Sequence, residues 1–126
     1  MTIGDDMTLQ DRVFHRPVIV ASADVDLRCH CVIRIMDHIT HILTIADFRH
    51  DNIPAFVRDN GILLVDEHLL PSSRKHHRAN ISDHGWNKRA VVLCRTEVPE
   101  AEEYPLTYLT LPLDRSALVK FIKYSD

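Results

Sequence analysis

Leu106-Thr-Tyr-Leu-Thr-Leu-Pro-Leu-Asp-Arg-Ser-Ala-Leu-Val-Lys-Phe-Ile122 is the stretch on which the fold turns. Leu106 to Thr110 is a short apolar run of strand length. Leu111-Pro112 is a turn, and Asp114 is placed to cap a helix whose Leu118, Phe121 and Ile122 share one face. A strand, a proline turn and a capped amphipathic helix make the closing unit of an alternating α/β domain. Working back, Ala90-Val-Val-Leu-Cys94, Ile62-Leu-Leu-Val65, Ile42-Leu-Thr-Ile-Ala46 and Val18-Ile-Val-Ala21 are continuous apolar runs, the form of strands buried on both faces.

The segments between the strands read as helices or loops. Asp24 or Asp26 caps a helix in which Leu27, Cys31 and Ile35 recur every four residues, widened by Val32 and Met36. Asp47 or Asp51 opens the next helix, which carries Ile53, Phe56 and Val57, has Pro54 in its first turn and stops at Asn60-Gly61. Residues 71–88 are polar and irregular, with a turn or broken helix over 82–87. Residues 98–103 allow at most a short helix between Pro99 and Pro105. The expected fold is therefore a flavodoxin-like three-layer sandwich. A five-stranded parallel sheet in order 2-1-3-4-5 carries helices on both faces, and the fourth helix, between the last two strands, is shortened. Residues 1–16 form an N-terminal arm and 17–126 the domain.

Composition excludes several classes. At 126 residues, 45% hydrophobic and 26% charged, the chain can bury one ordinary core. No apolar run approaches a membrane span, and Asp5, Asp6 and Asp11 stand where a secretory leader would be apolar. Three cysteines suit reduced thiols in a cytoplasmic compartment, and a net charge of −3 gives no reason to expect nucleic-acid binding. Cys29 and Cys31, two apart on a helix, point in different directions and do not bridge. The nine histidines show no zinc spacing and read as scattered surface and cap residues. No metal or cofactor is expected. Arg74, Lys75 and Arg78 head a basic stretch, followed by an acidic one from Glu97 to Glu103; each is a solvated face or a docking surface for a charged partner.

The residues after strands one, three, four and five converge in such a sheet: Ser22, Ala23 and Asp24; Asp66 and Glu67; Cys94, Arg95 and Thr96; Thr110, Leu111 and Pro112. Here the chain resembles the receiver domain of bacterial two-component response regulators. The resemblance covers about residues 17 to 124 and rests on Val18-Ile-Val-Ala-Ser-Ala-Asp-Val-Asp-Leu-Arg28, Ile62-Leu-Leu-Val-Asp-Glu-His-Leu-Leu-Pro71 and Tyr108-Leu-Thr-Leu-Pro-Leu-Asp114. It implies two adjacent acids that hold magnesium, an aspartate that accepts a phosphoryl group, and a Ser or Thr and a Lys that respond to it. The acid pair falls on Ser22 and Ala23, the lysine on Leu111, and the Ser/Thr on Cys94 or Thr96. The acceptor is Asp66 by the strand pattern or Glu67 by the spacing to Pro71. Tyr108 matches the switch aromatic, and Trp86 is either packed on the sheet or a partner anchor.

The expectation is thus a non-enzymatic pseudo-receiver with a degenerate phosphorylation pocket, acting through a protein partner in bacterial signalling or transcription regulation. A homodimer is a further option; contact with a membrane or directly with nucleic acid is not expected. Two alternatives stay open. One is an unorthodox phosphoacceptor using Asp66, with Asp24 beside it. The other is a small flavodoxin-like ligand-binding protein or enzyme, which a Gly-rich loop or nucleophile–base pair would have favoured. Should the chain end naturally at Asp126, output passes by direct contact; should it be a fragment, an effector lies beyond.

Overall fold

The computed structural model describes residues 16–39, 41–47, 53–86, 89–95 and 106–124. Its elements run β1 (Val18–Ala21), α1 (Val25–Ile35), β2 (Ile42–Ile45), α2 (Ala55–Asn60), β3 (Ile62–Asp66), α3 (His77–Asp83), β4 (Ala90–Cys94), β5 (Thr107–Thr110) and α4 (Arg115–Tyr124). The strands form one sheet in the order β2-β1-β3-β4-β5, as the sequence predicts, and all four pairings are parallel. Val18 stands beside both Ile42 and Ile62, and Val91 beside Thr107. The shortened helix expected between β4 and β5 falls on residues 96–105, outside the described residues. So does the arm, apart from Arg16.

Each strand alternates its side chains between two cores. Val18, Val20, Ile62, Leu64, Val91 and Leu93 meet Leu27, Cys31 and Ile35 of α1 and Leu118 and Ile122 of α4. Ile19, Leu63, Val65, Val92 and Cys94 meet Ile53, Leu70, Ile81 and Trp86 on the other face. Each fully buried Leu, Ile or Val contributes about 1.5–3 kcal/mol against exposure, so the two cores together hold the layers.

The caps follow the sequence at the ends of the chain. Asp24 accepts from the N–H groups of Asp26 and Leu27, and Asp114 from those of Ser116 and Ala117. Two segments differ from expectation. The helix after β2 begins at Ala55 with Pro54 as its cap residue, so neither Asp47 nor Asp51 opens it. Gly61 ends it as expected, and a Cβ there would stand 3.1 Å from the Pro17 carbonyl. The irregular stretch over 71–88 contains a 3-10 turn at Arg74–His76 that runs into α3. The reason is His77 and Ile81, four apart and both buried, a pair too short for periodicity to reveal.

Candidate functional site

Asp66 is the last residue of β3 and is 2% exposed at the carboxyl end of the sheet. Four groups donate to its carboxylate. Ser22 Oγ, at the end of β1, lies 2.7 Å from Oδ2, and the His68 N–H lies 3.0 Å from Oδ1. The Arg95 guanidinium supplies Nη1 at 2.8 Å to Oδ1 and Nη2 at 3.3 Å to Oδ2, a two-pronged approach. Burial pushes the Asp66 carboxyl up. The hydrogen bonds from Arg95, His68 and Ser22, together with the Arg95 charge, outweigh it and hold the group below the usual carboxylate range.

Arg95 also reaches Asp24, with Nη2 3.3 Å from Oδ2, so one guanidinium bridges the two carboxylates of the crevice. Because a guanidinium only donates, His68 Nδ1 at 3.1 Å is the acceptor of a further bond from Nη1. Ser22 is fully buried; its hydroxyl donates to Asp66 while accepting from the Asp24 N–H at 3.0 Å. Ala23 is exposed and brings no polar side chain. Leu111 is half-buried against the α1/α4 core, its N–H donates to the Cys94 carbonyl at 2.9 Å, and its peptide to Pro112 is cis. Leu111, Arg95 and Asp24 line the same depression of about 340 Å³.

A divalent cation fits this donor set poorly. Both acids already face Arg95, and a serine and an alanine stand where the resemblance puts an acid pair. A metal would have to displace a guanidinium held by two carboxylates, and hard cations need six or more oxygens around them. Among the described residues no group of three metal-ligating side chains converges.

Glu67 faces away from this pocket. It accepts from Arg74 Nε at 2.6 Å and Nη2 at 3.4 Å, and Arg74 lies over the Tyr108 ring, 5.5 Å from its centre. Tyr108 is 7% exposed. Its hydroxyl meets His77 Nδ1 at 3.0 Å, and His77 Nε2 meets the Pro71 carbonyl at 2.8 Å. A carbonyl only accepts, so Nε2 carries a proton and donates to it. Glu67, Arg74, Tyr108 and His77 thus form a second constellation beside the first.

The structure brings Ser22, Asp24, Asp66 and Leu111 together around Arg95, and sets Glu67 with Arg74 and Tyr108. Cys94, the last residue of β4, is buried; burial first, then the Glu67 carboxylate, push its thiol up to about 11. Thr96 lies outside the described residues. Of the basic group, Lys75 and Arg78 are exposed, whereas Arg74 is turned inward to Glu67. Two expectations need correction. Trp86, left open between packing on the sheet and a partner anchor, is fully buried against the sheet, which removes the anchor reading. The histidines are not all surface or cap groups: His77 and His38 are buried, and His30 Nε2 accepts from the Leu113 N–H at 2.9 Å.

His77 is the site residue that sequence reasoning missed, and Arg95 was placed at the crevice without a role. Arg95 was legible by position, one residue past an apolar strand and two beyond Leu93, the β4 partner of Asp66. The signal for His77 was only its spacing to Ile81.

No family model matches the sequence, and no curated protein matches it significantly. Solved structures do. The receiver domain of the putative response regulator NarL from Mycobacterium tuberculosis superposes with a TM-score of 0.62 at 14% identity, covering 86% of this chain and 94% of that one. The Vibrio cholerae chemotaxis protein CheY4 gives 0.58 at 17%, covering 87% and 98%. ShkA Rec1, solved in complex with c-di-GMP, gives 0.55 at 17%, covering 94% and 97%. At these identities the likeness establishes the receiver-domain fold.

Proposed function

We propose that this chain is a pseudo-receiver: a signalling domain that works by binding another protein and does so without a phosphorylation cycle. The observation that carries the reading is Arg95. Its guanidinium lies on Asp66 and Asp24 together, in the crevice where a receiver needs a metal and a lysine. Phosphoryl transfer to a carboxylate requires an unobstructed oxygen for in-line attack and cations to offset the incoming charge. In this pocket both Asp66 oxygens already accept from Ser22, His68 and Arg95, and the cation is fixed on the acceptor itself. Leu111 adds no charge. The arrangement resembles a pocket neutralised from within.

Output in this reading comes from shape. Tyr108 is held inward by its bond to His77 and by Arg74 above its ring, neither of which answers to a phosphoryl group. The surface offered to a partner includes Lys75 and Arg78, which suit an acidic protein segment. Among the described residues no helix is long and apolar enough to cross a membrane, and a cytoplasmic, bacterial setting belongs to the same proposal.

The test is phosphorylation with acetyl phosphate and Mg²⁺, read by intact mass. The reading expects no phosphoryl adduct under conditions that label an ordinary receiver fully. Stoichiometric labelling that disappears in Asp66→Asn would overturn it.

A further inference from the structure

A second depression, of about 380 Å³, lies at the opposite end of the sheet from Asp66. It sits where β1 and β4 begin, against the last turn of α2, and is lined by Arg16, Pro17, Phe56, Asp59, Asn60 and Arg89. The backbone fixes two guanidiniums there. Strand β3 enters between β1 and β4, its Ile62 N–H donating to the Pro17 carbonyl and its Leu63 N–H to the Arg89 carbonyl, both at 2.9 Å. Arg16 and Arg89 therefore stand on either side of the turn from α2 into β3. Both side chains reach the carbonyls that end α2. Arg16 Nε donates to Asn60 at 3.0 Å, and Arg89 donates from Nη1 to Asp59 and from Nη2 to Arg58 at 3.2 Å.

A helix C-terminus favours a cation, yet two guanidiniums placed together repel. Burial first, then the Arg16 charge, hold the Arg89 guanidinium below its ordinary value, and the opposing pull of Asp59 is the smaller one. Two of the five Arg89 N–H groups meet carbonyls, and the other three have no acceptor among the described residues. An anion answers both features. The rest of the lining asks for more than an anion. Phe56 is 64% exposed, an apolar ring beside a cationic rim. The Asp59 side chain, 67% exposed, adds a carboxylate that would repel a bare anion or an acidic peptide.

We infer that this depression binds a nucleoside monophosphate. The phosphate takes the remaining N–H groups of Arg89, with Arg16 beside it. The base stacks on Phe56, and the ribose hydroxyls donate to Asp59. Each group of the ligand thus meets a residue that the others leave unused: phosphate alone would ignore the ring, and a nucleoside alone would ignore the arginines. The volume falls in the range of small-molecule sites, about 300–1,000 Å³. A stacking platform accepts any base by its π-face, so AMP and GMP serve equally as probes. Nothing in this inference depends on the state of the Asp66 pocket, which lies a strand's length away.

Calorimetric titration of the full chain at low salt with AMP and GMP, and separately with inorganic phosphate and with adenosine, tests it. The expected result is a single saturable site for the nucleotides, at least about tenfold tighter than for either part alone and weakened by added salt. Phe56→Ala and Asp59→Ala, both at exposed positions, are each expected to narrow the gap between nucleotide and phosphate by about fivefold or more. Arg89→Gln is expected to weaken nucleotide and phosphate alike by about tenfold or more. Because Arg89 also ends α2, Arg16→Gln is run beside it, with circular dichroism as the check that both variants fold. The absence of saturable nucleotide binding up to about 10 mM overturns the inference. Phosphate bound as tightly as the nucleotides, with Phe56→Ala indifferent, overturns it as well and leaves a simple anion site.

Discussion

Replacing Arg95 by alanine removes the two bonds it gives Asp66, at 2.8 and 3.3 Å, and the one it gives Asp24. Asp66 is 2% exposed, so its charge is left with only the Ser22 hydroxyl and the His68 N–H. Breaking a fully buried ion pair costs about 3–5 kcal/mol. The Arg95 side chain is 33% exposed, which screens the pair, so the expected loss at neutral pH is about 2 kcal/mol. For a chain of this size that lowers the melting temperature by about 6–10 °C. The pH dependence follows from the direction of the Asp66 shift. In the parent the carboxyl is held low, so its contribution is present above the unfolded value of about 4 and is lost as pH falls through the folded value. In the variant the upward push of burial is opposed by fewer groups, and the folded value rises. The cost of the substitution should therefore be largest near pH 7 and shrink as pH falls through the variant's raised folded value and then through the parent's lowered one. Urea unfolding of parent, Arg95→Ala, Asp66→Asn and the double variant at several pH values gives the coupling directly. A loss below about 0.5 kcal/mol at neutral pH, or one that does not vary with pH, would refute the reasoning.

Three further outcomes follow from the same geometry. Arg74→Ala frees Glu67 and uncovers Tyr108; with the pair about one-fifth exposed, the expected cost is about 1–2 kcal/mol in urea, and none at all would contradict the clamp. Trp86→Ala should cost about 3–5 kcal/mol, and the parent's single tryptophan should emit to the blue and resist acrylamide; ready quenching would place it at the surface. Burial pushes the Cys31 and Cys94 thiols up to about 12 and about 11, so iodoacetamide near pH 8 should modify Cys29 alone in the folded chain and all three cysteines in denaturant, as counted by intact mass.

The sheet was legible because a parallel strand buried on both faces is written as an unbroken apolar run. Val18–Ala21 and Ala90–Cys94 are bounded in the structure as the sequence bounds them. Helix α1 was legible from Leu27, Cys31 and Ile35, and α4 from its Asp114 cap. Helix α3 was not, because seven residues hold two buried positions and periodicity needs more. The pocket was half legible. Position along the strands placed Ser22, Asp24, Asp66 and Leu111 at one crevice. Which way a charged side chain turns depends on partners distant in sequence: Arg95 and Asp66 are 29 residues apart, and Arg95 and Asp24 are 71. Spacing to Pro71 left Asp66 and Glu67 open. The structure separates them by partner, with Asp66 on Ser22 and Arg95 and Glu67 on Arg74. The burial of Trp86 likewise reflects a contact across the α3 face that no local pattern encodes.

The most direct measurement is a ¹H–¹⁵N spectrum of the folded chain titrated with Mg²⁺ and then with beryllofluoride, a phosphoryl mimic. With Arg95 seated on both acids, the amide signals of Ser22, Asp66, His68 and Arg95 should stay in place throughout. Saturable movement of those four signals, with Tyr108 following, would contradict the account.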